Sequence, residues 1–388
     1  MGRMIRILHM TPPEVSNGVY RYIFNHMPYI DQSKYEFSFL TKSADSLKKT
    51  REYEVFRFPV YQLDTVQRDG REAFAREIRN VLDRGFDVVH LHTSSWRGFL
   101  IEEIAMEMKV PKVIVHSHSS GIDFVDPAER EKLWRDHIYY KSRFSMDYAT
   151  DVCACSHVAA DWLFPEDIPR DRIQILPNAV DVQRFRYHRE TREDIRGRLG
   201  IRDRVVVGHI GRYSYAKNQE FLVRCFARAY EKDKRLYLIL MGQGENISVV
   251  KKLVEELGMQ EQIACYGWRE DTPDFLQAMD VFCLPSRFEG LPISVIEAQA
   301  AGLRCLVSDL VTEEVDITGL VEFLPLEEEC WAEALAEAAK TGDMAAGNRE
   351  GIWKCRIDEV FRQTGYSIEA SCERLSCLYD TALCAAPA

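Results

Sequence analysis

A chain of 388 residues, 46% apolar and 29% charged, is long enough for two or three domains, each with its own core. Its net charge of −11 argues against nucleic acid as a partner. No stretch approaches the roughly 20 apolar residues that a membrane-spanning helix needs. The acidity is uneven: residues 1–180 hold 24 basic and 26 acidic side chains, against 26 and 35 in residues 181–388. The near-neutral first half is therefore the part that could approach an anionic membrane face. The 11 cysteines are odd in number and scattered, with no zinc-like spacing, and the start of the chain runs directly into a strand pattern. A reduced, cytoplasmic chain without a metal centre is expected.

Taken in order, residues 4–10 (MIRILHM) read as a first strand, and TPPEVSNG then leads into a helix from Val19. Gly18 follows the carboxyl end of that strand, where doubly wound sheets place their ligand loop. Strands are expected at 35–40 and 55–60, with the polar 41–53 between them as a surface loop. Helices over 71–84 and 98–108 alternate with apolar strands at 87–92 and 112–118. Such alternation is the pattern of a parallel sheet with both faces covered. Period two puts His116 and His118 on one strand face, with His118 where the chain leaves the sheet. His116 reads as a hydrogen-bonded core histidine; His90 and His92 read first as sheet packing, although His92 is the better placed of the two for a cleft. The segment 128–147 mixes Trp134, Ile138, Tyr139 and Phe144 with charges of both signs, an amphipathic helix rather than a membrane-seeking one. A strand at 151–155, a helix at 157–164 and the segment 172–181 follow, and a domain boundary is placed within 182–200.

The pattern then restarts. Residues 204–212 are a strand running into a turn, 236–241 a strand ending in the tight turn Gly242-Gln243-Gly244, and 263–266 another strand. The apolar run 280–285 leads through a turn at 287–290 into a helix over 292–301. Proline is tolerated at a helix start because its missing N–H would be unpaired there anyway. The amides around Ile293 and Ser294 then lack backbone partners and, with the helix dipole, suit a phosphate. Glu289 precedes the helix and Glu297 lies eight residues on, slightly over two turns, so both face the same way. Carboxylates beside an anion site suit sugar hydroxyls, which points to a nucleotide-sugar. Helices are expected at 329–340, 350–362 and 367–383, the last with Ile368, Leu375, Leu378 and Leu383 as its apolar stripe.

Glu289-x7-Glu297, with Gly290-Leu291-Pro292 after the first glutamate and Glu297-Ala298-x-Ala300-x-Gly302 at the second, resembles the retaining glycosyltransferases of family four. The similarity is closest to bacterial exopolysaccharide and capsule glycosyltransferases. The resemblance implies an α/β protein of the GT-B fold, two Rossmann-like doubly wound parallel-sheet domains facing across a cleft. Residues 1–185 would form the acceptor-binding domain and 186–366 the nucleotide-sugar domain, with a crossover helix in 367–388 packing back on the first. Pro177-Asn178-Ala179-Val180-Asp181 resembles the family's segment at the end of the first domain, with Ala179 in place of glycine.

The implied activity is metal-independent transfer of a hexose from a nucleotide-sugar, with UDP the expected nucleotide, to a glycan or lipid-linked saccharide. No cofactor is implied. Peripheral contact with the inner membrane face is compatible with this. By resemblance, His118 meets the donor sugar near its reacting carbon, and the Gly18 backbone approaches the donor phosphate, although the family often has a glycine pair there. Arg212 and Lys217 clamp the diphosphate, Glu289 holds sugar hydroxyls and Glu297 ribose hydroxyls. Arg269 or Trp268 meets the base, and Leu291, Pro292, Ile293 and Ser294 line the donor. The alternatives are a UDP-sugar epimerase of the same fold and a catalytically silent nucleotide-sugar-binding partner subunit.

Overall fold

A computed structural model describes residues 3–11, 18–65, 70–353 and 357–383, with residues 341–348, 352 and 383 described by their backbone alone. Two compact units emerge. One comprises Met1–Ile122, Ala128–Pro177 and Glu369–Ala388; the other comprises Asp123–Pro127 and Asn178–Ile368.

The first unit is built on seven parallel strands: β1 (Ile5–Met10), β2 (Tyr35–Thr41), β3 (Val60–Gln62), β4 (Val88–Thr93), β5 (Lys112–Ser117), β6 (Asp151–Ala154) and β7 (Ile173–Ile175). Their order is β3-β2-β1-β4-β5-β6-β7, so the direction of winding reverses between β1 and β4. That reversal is where open α/β sheets form a ligand crevice at the strands' carboxyl ends. Runs such as Val88-Val89 and Val113-Ile114-Val115 are fully buried because helices cover both faces. Residues 369–380 of the helix Ile368–Asp380 belong to this unit. Asp380 accepts hydrogen bonds from Lys34 Nζ (2.6 Å) and the Tyr35 hydroxyl (2.7 Å), while His26 Nε2 bonds Ser371 Oγ at 2.8 Å. Leu375 and Leu378 are buried; the Leu383 side chain lies outside the description.

The structure departs from sequence expectation in three places. The expected strand at 55–60 and the surface loop before it are instead two short helices, Ala44–Leu47 and Arg51–Phe56, followed by the three-residue β3. Thr50 caps the second helix by accepting from Tyr53 N, and Arg57 ends it with φ +51°. The apolar Val55 that suggested a strand is 63% exposed, so it had no sheet to join. The second unit begins at Asn178, ahead of the expected window. Residues 178–200 are held there by Asn178 Nδ2, which donates to Leu291 O at 2.5 Å, and by Arg192 and Arg196, which both pair with the buried Asp280. Finally, residues 328–352 form one helix across the expected break at 341–349. Buried Arg349 holds that stretch, donating to the carbonyls of Leu276, Gln277, Met279 and Ala301.

The second unit carries six parallel strands: β8 (Val205–Ile210), β9 (Leu236–Met241), β10 (Ile263–Tyr266), β11 (Val281–Leu284), β12 (Arg304–Ser308) and β13 (Val321–Leu324). Their order is β10-β9-β8-β11-β12-β13. One face packs against Phe226, Leu222, Trp331 and Leu335. The turns after β8 and β9 interlock: Tyr213 N donates to Gln243 O at 2.8 Å, and Asn246 N donates to Tyr213 O at 3.2 Å. That approach admits no side chain. A Cβ on Gly242 (φ +147°) would lie 1.9 Å from Gly211 O, and one on Gly244 (φ +154°) 2.2 Å from Tyr213 O. Gly244→Ala should therefore destabilise the protein by about 3 kcal/mol or more, read as a lower urea midpoint at unchanged slope.

Candidate functional site

In the second unit the carboxyl ends of β8 and β11 deliver the charged groups. Lys217 sits in the turn after β8, in front of the helix Gln219–Lys232, and Glu289 sits between β11 and the helix Ile293–Ala300. Lys217 Nζ lies 2.6 Å from Glu289 Oε1, and Ser286 Oγ donates to the same oxygen at 2.7 Å. The two charged side chains are mostly but not wholly buried, at 18% and 13% exposure. In that setting each charge needs the other, because desolvation of an unpaired ion would cost several kcal/mol. Gly211 faces this pair; a Cβ there would come within 3.3 Å of Lys217 Cδ.

The helix Ile293–Ala300 has Pro292 at its cap, and its first backbone bond runs from Val295 N to Pro292 O at 3.1 Å. Ile293 N and Ser294 N have no backbone acceptor among the described residues, and the buried Ser294 Oγ has no hydrogen-bond partner there either. Such a start offers donors and a positive dipole end to an anion. Leu291, two residues before it, is buried, and Glu297 is buried on the same helix at 3% exposure.

Arg212 and Arg269 turn elsewhere. Arg212 Nη2 pairs with Glu245 at 2.9 Å, and its carbonyl accepts from Gln219 Nε2 at 2.7 Å. Gln219 in turn contacts His209 Nε2 at 3.1 Å, while His209 Nδ1 bonds Cys283 O; burial lowers the His209 pKa to about 4. Arg269 forms a forked pair with Asp271, both bonds 2.7 Å, and lies over the Phe275 ring. Trp268 is 47% exposed. Neither Glu245, Asp271 nor Ser286 was picked out from sequence; only the last, three residues before Glu289, carried a local signal.

His118 and Gly18 belong to the first unit. Gly18 opens the helix Gly18–His26 and is exposed, with nothing within 4 Å of a Cβ placed there. Residues 12–17 of its loop lie outside the described residues. His118 follows β5, partly exposed, with histidines packed behind it. His9 on β1, His90 and His92 on β4 and His116 on β5 form a ring lattice with it; adjacent centroids are 4.1–5.8 Å apart. The register makes this unavoidable, since His9 pairs with His90 and His92 with His116. His92 Nδ1 meets His118 Nε2 at 2.8 Å, and His92 Nε2 meets His9 Nδ1 at 3.0 Å. His90 Nδ1 meets the Tyr379 hydroxyl at 2.9 Å, and His90 Nε2 meets His116 Nδ1 at 3.2 Å. Two trios, His9–His90–His92 and His92–His116–His118, bring one nitrogen each within 4.8 Å of one another. His92 uses its two nitrogens on opposite neighbours, so the contacts form a hydrogen-bonded chain rather than a converging chelate.

Two family descriptions match the chain: "Glycosyltransferase Family 4" over residues 16–184 and "Glycosyl transferases group 1" over 191–339. The glycosyltransferase-family protein EpsF of Bacillus subtilis is 30% identical over 384 residues, spanning 97% of this chain and 96% of EpsF. An Escherichia coli UDP-Gal:alpha-D-GlcNAc-diphosphoundecaprenol alpha-1,3-galactosyltransferase is 27% identical, with 58% of each chain covered. Among solved structures, Anabaena HepE with UDP and glucose superposes with a TM-score of 0.77 at 16% identity, covering 97% of this chain and 100% of HepE. The protein is a group 1 glycosyltransferase with the GT-B fold. It belongs to family four, and its two Rossmann-like domains are those expected of that class. Among the described residues no helix is long and apolar enough to cross a membrane.

The histidines set an acid limit. Burial lowers His9 and His118 to about 3 and His26 to about 4, and pushes His90, His92 and His116 well below the usual imidazole range. The unfolded chain binds protons at these sites below about pH 6.5 while the folded chain does not, so stability falls as pH drops. Each such histidine should remove roughly 1 kcal/mol between pH 7 and 5.5. Urea midpoints should be flat from pH 8 to 7 and fall steeply below 6.5; a midpoint unchanged at pH 5.5 would refute the neutral lattice.

Proposed function

We propose that this enzyme transfers a hexose from a nucleotide-sugar to a hydroxyl of a glycan or lipid-linked saccharide, with retention of anomeric configuration. The observation that carries the reading is the Lys217–Glu289 pair, 2.6 Å apart, beside a helix start whose first amides have no backbone acceptor. A diphosphate entering there would take Lys217 and the helix amides as its donors and release Glu289 to accept from sugar hydroxyls. Glu297, buried one turn deeper, is assigned to the ribose hydroxyls. Arg212, in the same turn as Lys217, exchanges Glu245 for phosphate oxygens. The base is assigned to the segment of Trp268 and Arg269.

Catalysis on this reading is electrostatic: cationic groups stabilise the departing diphosphate as the glycosidic bond lengthens. The leaving phosphate oxygen takes the acceptor's proton on the same face, and positive charge comes from Lys217, Arg212 and the helix start, without a resident cofactor or metal. UDP is the proposed nucleotide, supported by the galactosyltransferase named for UDP-Gal and by HepE solved with UDP and glucose. A role in exopolysaccharide assembly and peripheral attachment to the inner membrane face are part of the same proposal, the first supported by similarity to EpsF.

A panel of nucleotide-sugars, assayed for released nucleotide with and without saccharide acceptors, identifies the donor. With that donor, Glu289→Gln should lower kcat/KM on the order of 100-fold. Arg212→Ala should raise the donor KM about tenfold by removing phosphate contacts. An epimerised sugar-nucleotide appearing without acceptor, or both variants turning over like wild type, would overturn the reading.

A further inference from the structure

We propose that His92, backed by His9, holds His118 in the tautomer that carries its proton on Nδ1, so that His118 meets the substrate as a hydrogen-bond donor. The proposal rests on the transferase reading above together with the role at the donor sugar that the family resemblance implies for His118.

The argument is one of proton accounting along three rings. A neutral imidazole has one N–H and one bare nitrogen. His92 has a ring partner at both nitrogens, His9 Nδ1 at 3.0 Å and His118 Nε2 at 2.8 Å. It must donate to one and accept from the other, so all the protons in the chain point the same way. In the inward arrangement His118 Nε2–H donates to His92 Nδ1, and His92 Nε2–H donates to His9 Nδ1. His9 must then carry its own proton on Nε2. That atom is buried and has no hydrogen-bond partner among the described residues. In the outward arrangement His9 Nδ1–H donates to His92 Nε2, and His92 Nδ1–H donates to His118 Nε2. His9 Nε2 is then only a bare lone pair. A buried N–H without an acceptor is rarer and costlier than an unfilled lone pair, so the outward arrangement wins.

The consequence appears at the exposed end. With Nε2 accepting from His92, the His118 proton resides on Nδ1, which makes no other side-chain hydrogen bond among the described residues. His118 therefore offers an N–H to a substrate oxygen and holds no lone pair there with which to act as a base. His92 and His9 are positioning residues: they do not touch the substrate, and they fix which atom of His118 does. A second pair of rings sets the tilt, since His116 packs against His118 with centroids 4.1 Å apart and planes 35° apart, and is itself bonded through His90 to the Tyr379 hydroxyl.

The direct test is two-bond proton–nitrogen correlation spectroscopy on the full-length protein labelled with 15N-histidine. His118 should show protonated Nδ1 and bare Nε2 in the wild type. His92→Leu, which removes the donor to Nε2, should weaken that preference and admit the Nε2–H form, and His92→Gln, whose amide can donate to Nε2, should largely restore Nδ1–H. In transfer assays His92→Leu should lower kcat about tenfold or more with donor KM within twofold, and His92→Gln should recover most of it. Wild-type His118 protonated on Nε2 overturns the proposal whether or not any variant folds. So does a folded His92→Leu with wild-type kcat. Stoichiometric Zn2+ uptake by calorimetry, lost in His92→Gln, would overturn it as well, because the rings would then be ligands and not a relay. The tautomer is read without substrate, so it stands apart from the Glu289 assay on which the transferase reading depends.

Discussion

Two hydrogen bonds across the ends of neighbouring parallel strands decide where the charged groups of the second unit can be. Arg287 N donates to Ala216 O at 2.8 Å, and Asn218 Nδ2 donates to Pro285 O at 3.2 Å. They tie the turn after β8 to the turn after β11, and Lys217 and Glu289 lie one on each side of that tie. The Arg287 guanidinium adds a third strap, bonding Tyr215 O and lying 4.5 Å over the Tyr215 ring. An ion pair between flexible side chains on loose loops would be worth little, since ordering both chains consumes most of the Coulomb gain. Here the backbone is already ordered, so the pair is held at the strand ends and its partners are positioned in advance.

The same logic extends one strand further. The Gly242–Gly244 turn packs its backbone directly on Gly211 and Tyr213, closer than any side chain allows. Three consecutive strand-end turns thus form one laced edge, and rigidity there comes from main-chain bonds rather than bulky packing. A surface built this way exposes amides and carbonyls at fixed positions, which suits a ligand rich in phosphate and hydroxyl oxygens better than an apolar one. Arg212 and Arg269 fit the pattern: each is neutralised by a carboxylate a short reach away, Glu245 and Asp271, and so remains solvated enough to change partners.

Much of this architecture was legible in the residues. Unbroken Val/Ile/Leu runs separated by helical periods mark parallel strands, and Pro292 at a helix start marks the unpartnered amides. What could not be read is interaction across distance. His92 and His118 are 26 positions apart and His9 and His92 are 83 apart, so their contact depends on the strand order, which no local pattern encodes. The misread strand at 55–60 failed for the opposite reason: Val55 and Phe56 are apolar enough for a sheet, yet the Thr50 cap and the turn at Arg57 are local signals of a helix that hydrophobicity outweighed. The boundary was placed late because Arg192 and Arg196 look like surface charges until Asp280, more than 80 residues away, accepts both.

The choice of imidazole behind His118, rather than the carboxylate that often orients a histidine, has a physical rationale. An aspartate at position 92 could only accept, so it would hold the His118 proton on Nε2 and leave Nδ1 bare, and its charge would raise the His118 pKa and favour imidazolium. A neutral ring transmits orientation without transmitting charge. It leaves the positive groups of the second unit, Lys217 and Arg212, as the cations assigned to the phosphates. The cost is a core that cannot be protonated without being broken, which ties the acid limit of the fold to the neutrality of the relay.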